Sequence, residues 1–123
     1  GLVGSEMCIR DSLIPAHTAL LTTTVYHGSN PPGIVDIVPS ESPRPAGWTA
    51  ALVIVDGLIG QAVDDGICQR FSHVPGMPEL LLRAVSYRRY VNDLHSASRS
   101  NTRSHIERVE QHLVSRASAI LER

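Results

Sequence analysis

Three polar residues in a short loop bounded by prolines are the candidates for ligand chemistry in this chain. The loop PSESP spans residues 39–43, and its candidate ligand-binding residues are Ser40, Glu41 and Ser42. Hydroxyl groups can donate to a phosphate, and a carboxylate can accept from sugar hydroxyls. If Pro43 begins a helix, the free amides of the first helical turn would favour an anion beside this loop. Ser42 could instead act as the helix cap alone.

Histidine and cysteine do not follow a catalytic or metal-binding spacing. His105 and His112 are seven residues apart, whereas helical zinc pairs are four residues apart. Cys68 has no activating partner near it in sequence, so we interpret it as a small buried side chain. We therefore expect no metal, no cofactor and no disulfide, and the sequence identifies no catalytic residue.

Arginine supplies all eleven basic residues, and most of them lie in the C-terminal part. Residues 78–123 contain eight arginines against five acidic residues, and residues 13–77 contain two against five. The two parts could pack on each other, but we favour a solvated helix face for the arginines, including Arg88 and Arg89. A net charge of −1 also argues against general attraction to nucleic acid or membranes, so we expect no direct nucleic-acid contact.

The longest apolar stretch, residues 48–66, has to organise the remaining elements. Read as a helix over 48–65, it starts from Ser42 and Pro43 and ends at Gly66. Read as strands, it forms a hairpin around Asp56 and Gly57, a strong turn signal. We favour the helix, because its apolar residues share one face. These residues are Trp48, Ala51, Leu52, Val55, Leu58, Ile59, Ala62 and Val63.

Two strands are predicted ahead of this helix. Residues 17–27 are rich in threonine and valine, which is typical of a strand. Residues 34–38 (IVDIV) are short and apolar throughout, as in a strand that a parallel sheet buries on both faces. Loops over 28–33 and 39–47 separate these elements.

Two amphipathic helices are predicted after it. The first opens at Pro78. The second starts near Ser104, where Ser104 and Glu107 form a capping-box pattern. A polar linker over 95–104 separates them. The predicted fold is therefore α/β, with short parallel strands followed by a buried helix and two further amphipathic helices.

We divide the chain into residues 1–12 and a single domain over residues 13–123. Within the domain, 13–66 forms a strand-strand-helix unit and 78–123 a helical hairpin. Val3–Ser12 (VGSEMCIRDS) resembles a translated sequencing adaptor, so the domain is expected to be a C-terminal fragment of a longer protein. No targeting segment or membrane span is predicted, and we expect a cytoplasmic protein.

The first half of the domain resembles a known family. LLTTT, then IVDIVPSESP, then GWTAALVIVDGLIGQAV are similar to the C-terminal half of a sugar isomerase (SIS) domain. That family binds phosphosugars, in isomerases and in the effector domains of sugar-responsive regulators. The resemblance implies a sugar phosphate bound near Ser40, Glu41 and Ser42. We also expect a homo-oligomer, because the two short strands of a fragment would lack neighbours and expose their edges. It places the family's main phosphate-binding loop upstream of residue 13.

A second resemblance leads to a different function. Residues 48–66 are also similar to a late helix of TetR-type transcriptional regulators, where such helices line ligand pockets and form dimers. This alternative implies a helical ligand-binding or dimerisation domain. A third interpretation is a purely structural fragment.

The adaptor-like sequence yields a first testable prediction. We expect residues 1–12 to contribute nothing to the fold, because they lack any hydrophobic periodicity. Shortening the chain to residues 13–123 should leave its thermal midpoint unchanged, as measured by circular dichroism. A fall of several degrees would show that the segment packs against the domain.

Overall fold

Helices account for most of the structure, a computed structural model that describes residues 13–34, 38–95 and 100–121. The helices in these ranges are α1 (Leu20–Thr23), α2 (Trp48–Ile59), α3 (Ile67–Arg70), α4 (Met77–Leu94) and α5 (Ser100–Leu121). The strands are β1 (Leu13–Ile14), β2 (Thr24–Val25), β3 (Gly33–Ile34) and β4 (Arg44–Pro45). β1 pairs with β4 and β2 with β3, and both pairs are antiparallel.

The predicted α/β fold is therefore wrong. Helix makes up 58% of the structure against 10% strand, and the described strands include no parallel pair. Of the threonine-rich residues 17–27, only Thr24–Val25 form a strand, β2, and Leu20–Thr23 form a helical turn, α1. The turn forms because threonine hydroxyl groups bond backward to the chain. Thr23 Oγ1 donates to the carbonyl of Ala19 at 2.8 Å, and Thr24 Oγ1 donates to that of Leu20 at 2.6 Å. Of the predicted strand 34–38, Ile34 belongs to β3, and 35–37 lie outside the described residues.

The central helix is present, and the hairpin interpretation is excluded. α2 covers Trp48–Ile59, so both predicted ends are displaced. Gly47, not Ser42, precedes its first turn. A side chain at Gly47 would meet Leu80 Cδ1 at 2.9 Å, so glycine allows α2 to start close against α4.

α2 ends in a Schellman motif that the sequence does not indicate. Gln61 takes the left-handed conformation with φ of 57°, a position that usually holds glycine. The amide of Gln61 donates to the Leu58 carbonyl, and that of Ala62 donates to the Gly57 carbonyl. Gly66, the expected end of the helix, instead lies at the start of α3.

The core forms where α2, α4 and α5 pack together. α2 buries the face that its spacing predicts, up to Leu58. Buried core side chains are Trp48, Ala51, Leu52, Ile54, Val55 and Leu58 from α2, Met77, Leu80, Leu81, Ala84 and Val85 from α4, and Ile106, Val109 and Leu113 from α5. None of the helices within the described ranges combines the length and the hydrophobicity that a membrane crossing requires.

The two C-terminal helices are close to their predicted positions. α4 begins one residue before Pro78, and α5 begins at Ser100, four residues earlier than the capping-box pattern indicated. The helices run antiparallel, because Arg89 reaches Glu110 at 2.8 Å while Arg103 lies 3.7 Å from Asp93.

An ion pair between Asp56 and Arg88 joins three parts of the chain. Arg88 Nε donates to Asp56 Oδ1 at 2.7 Å, and Arg88 Nη2 donates to Asp56 Oδ2 at 2.8 Å. The same Nη2 donates to the carbonyl of Thr18 at 2.6 Å. Arg88 of α4 therefore holds both α2 and the segment that precedes α1.

The prediction of a solvated arginine face is consequently wrong for the arginines that contact the first half of the chain. The Arg88 side chain is 20% exposed and the Asp56 side chain 17%. Arg108 of α5 also crosses, donating to the Leu58 carbonyl at 3.1 Å in the last turn of α2. The acidic and basic parts of the sequence thus contact each other directly.

Burial raises the pKa of Asp56 above its ordinary range, and the hydrogen bonds and charge of Arg88 offset only part of that rise. The folded state therefore takes up a proton at Asp56 more readily than the unfolded state. The contribution of Asp56 to the free energy of unfolding rises as pH falls from its raised folded-state pKa toward the ordinary carboxyl range, since the folded state binds more protons there.

Removing Arg88 should destabilise the protein strongly at neutral pH. Arg88→Met leaves the Asp56 carboxylate shielded and without its cationic partner, so we expect a loss of about 3 kcal/mol in the free energy of unfolding. Arg83→Met is the matched control, because it breaks an α4 pair with Glu79 whose side chains are 56% and 52% exposed. Such an exposed pair contributes less than about 1 kcal/mol.

The loss in the free energy of unfolding caused by Arg88→Met should become smaller as pH falls. At about pH 4.5, close to the ordinary carboxyl range, Asp56 becomes neutral in the variant and no longer needs a cation. Urea unfolding of the parent and of the variant, at neutral pH and at about pH 4.5, measures this loss. A deficit equal to that of Arg83→Met, or one that grows as pH falls, would contradict a stabilising role of this pair.

Candidate functional site

The predicted ligand loop is present at the surface, with Ser40 already bonded inside the protein. Its Oγ accepts from the Ala16 amide at 3.2 Å and donates to the Ser42 carbonyl at 2.7 Å. Glu41 and Ser42 are exposed. The loop leads into β4, and α2 begins only at Trp48, so the helix amides expected directly after Pro43 are absent there. Ser40, Glu41 and Ser42 remain a predicted site.

A groove lies on another part of the surface, between the segment 44–48 and α4. It has a volume of about 630 Å³, within the range typical of small-molecule sites. Polar and aromatic side chains line it together with leucine and proline. Those used below are Arg44, Trp48, Glu79, Arg83, Tyr87 and Tyr90.

Arg44 provides a positive charge in this groove that no described residue neutralises. Among the described residues it forms no ion pair, and its Nε is buried without a hydrogen-bond acceptor. The guanidinium carbon lies 5.5 Å from the centre of the Trp48 ring, a cation–π distance. β4 fixes the backbone of Arg44 by pairing it with Ile14. The groove therefore contains a positioned cation.

Aromatic rings form one wall of the groove. Trp48 and Tyr87 meet edge to face, with ring centres 6.0 Å apart and planes at 71°. Tyr87 also faces the Arg88 guanidinium, 5.6 Å from its ring centre. Tyr90 follows one turn later on α4 and is 64% exposed. Trp48 and Tyr87 are thus held in place, while Tyr90 remains accessible to a ligand.

A neutralised ion pair completes the charged lining. Arg83 Nη2 donates to Glu79 Oε1 at 2.7 Å, one helical turn apart on α4. With this pair balanced, Arg44 leaves one positive charge in excess among the described residues of the groove. Such a groove favours a ligand that carries a single negative charge beside an apolar body.

Among the described residues, the side chains that could support other chemistry do not form a second site. Burial raises the pKa of the Cys68 thiol, which keeps it protonated and poorly nucleophilic. His112 Nε2 lies 3.7 Å from the Asp65 carboxylate, beyond hydrogen-bond distance. Within the described ranges, no three His, Cys, Asp or Glu side chains come together in a way that could hold a metal ion.

The sequence did not predict the groove, because its patterns assign the groove residues to other roles. The apolar spacing assigns Trp48 to the buried face of the central helix, and Arg44 enters only the charge balance of residues 13–77. A compositional signal was available, since aromatic residues form only 4% of the chain. Three of the five lie in this groove, and Tyr87 and Tyr90 are one helical turn apart.

Comparisons of the chain with protein-family models, curated proteins and solved structures found no significant match. The resemblances to sugar isomerase domains and to TetR-type regulators therefore rest on the sequence stretches that carry them.

Proposed function

We propose that this chain is a cytoplasmic helical domain that binds a small organic anion in the groove between residues 44–48 and α4. The observation that supports this function is the position of Arg44, a cation without an anionic partner among the described residues, against the ring of Trp48. A catalytic role is not part of the proposal, since the groove lining offers no nucleophile paired with a base.

Energetics supports a ligand for Arg44. The pairing of β4 with β1 and the contact with Trp48 hold Arg44 in place before any ligand arrives. Preorganisation of this kind reduces the entropy lost on binding.

The proposal follows the helical alternative from the sequence more closely than the phosphosugar interpretation. The predicted parallel sheet, whose second strand was expected to lead into the Ser40–Ser42 loop, is absent from the described residues. A sugar phosphate nevertheless supplies a negative charge and remains a candidate ligand, either in the groove or at the loop. Homo-oligomer formation likewise remains a prediction.

Binding of organic anions should depend on Arg44. Isothermal titration with 2-naphthoate, decahydro-2-naphthoate and glucose 6-phosphate should show at least one ligand with a Kd below about 1 mM. Arg44→Gln should weaken that ligand roughly tenfold to a hundredfold, the range for hydrogen bonds to charged groups. The fluorescence of Trp48, the one tryptophan in the chain, should change on binding.

Arg70→Gln serves as the control with the same change of charge. Arg70 is exposed on α3, outside the groove lining, and takes part in no ion pair among the described residues. Its variant should bind as the parent does, and both variants should keep the parent's helical circular dichroism. Equal weakening by both variants, or no binding of any of the three anions, would contradict the proposed function.

A further inference from the structure

We infer that the groove selects a planar aromatic monocarboxylate. This inference rests on the proposed function and adds the nature of the ligand's ring and of its acid group. Both follow from the side chains that remain available once the contacts within the protein are taken into account.

The ring preference follows from the aromatic wall. The Trp48 ring already meets Tyr87 at its edge and Arg44 at 5.5 Å, which fixes its orientation. Tyr90 has no ring partner among the described residues and is 64% exposed. A flat ring entering the groove can stack on Tyr90 or meet it edge to face, which a puckered saturated ring does less well. The 630 Å³ volume accommodates a two-ring body.

The acid preference follows from the balance of charge. Arg44 offers a planar guanidinium, and arginine binds carboxylates through its fork of N–H groups. The second cation, Arg83, is occupied by Glu79 at 2.7 Å. A dianion such as a phosphate monoester would need a second cation and would face the Glu79 carboxylate. One unneutralised arginine therefore suits one carboxylate.

Matched ligands test the two preferences separately. 2-Naphthoate and decahydro-2-naphthoate share charge and carbon skeleton and differ in ring planarity. 2-Naphthoate and 2-naphthyl phosphate share the ring and differ in charge. By titration calorimetry, 2-naphthoate should bind roughly threefold to tenfold tighter than the saturated acid, a range that corresponds to the usual strength of aromatic pairs. It should also bind more tightly than the phosphate.

A variant at Tyr90 links the preference to this groove. Tyr90→Leu keeps an apolar side chain at an exposed position, so folding should be unaffected. It should reduce the advantage of 2-naphthoate over the saturated acid to less than about twofold. Tyr26→Leu changes another exposed tyrosine, outside the groove lining, and should preserve the advantage.

The outcomes separate this inference from the proposed function. Equal binding of the aromatic and saturated acids, with both weakened by Arg44→Gln, would overturn the ring preference and leave organic-anion binding intact. Tighter Arg44-dependent binding of the phosphate would overturn the monocarboxylate preference. Absence of binding by all of these anions would remove the inference together with the function on which it rests.

Discussion

The ion pair between Asp56 and Arg88 is the constraint on which the arrangement of this protein depends. Asp56 lies near the C-terminal end of α2, a mostly apolar helix, and an ionised carboxylate that is largely buried there requires a partner. Arg88 supplies it through two hydrogen bonds and uses the same side chain to hold the Thr18 carbonyl. Asp56 and Arg88 thus fix where α4 lies along α2 and where the segment that precedes α1 contacts α4.

The groove depends on that same register. Tyr87 precedes Arg88 on α4 and lies at a cation–π distance from its guanidinium, so the ion pair and the aromatic wall are adjacent. Tyr87 in turn meets Trp48, at the start of α2, over which Arg44 lies. Arg88 and Arg44, a cation that no described residue neutralises, are therefore linked through two aromatic rings. The first stabilises the fold, and the second is the proposed contact for a ligand.

The sequence predicts the helices better than the remaining structure, for physical reasons. The long helices show their apolar periodicity, because each buries a face of its own. Residues 17–27 mislead, because threonine hydroxyls satisfy the backbone locally and override strand propensity. The end of α2 is not predicted from the sequence, because Gln61 occupies a position where glycine is usual. The groove could not be derived, since Arg44 and Tyr87 are distant in sequence and line the same groove only through tertiary packing.

Nuclear magnetic resonance of the Arg44 side chain during ligand binding shows whether this residue holds the anion. The Nε–H resonances of the arginines can be followed in ¹H–¹⁵N spectra as 2-naphthoate is added. We expect the Arg44 resonance to shift and to saturate with the binding isotherm, while that of exposed Arg70 stays in place. An unchanged Arg44 resonance at saturating ligand, or equal small shifts of both arginines, would contradict anion binding at Arg44.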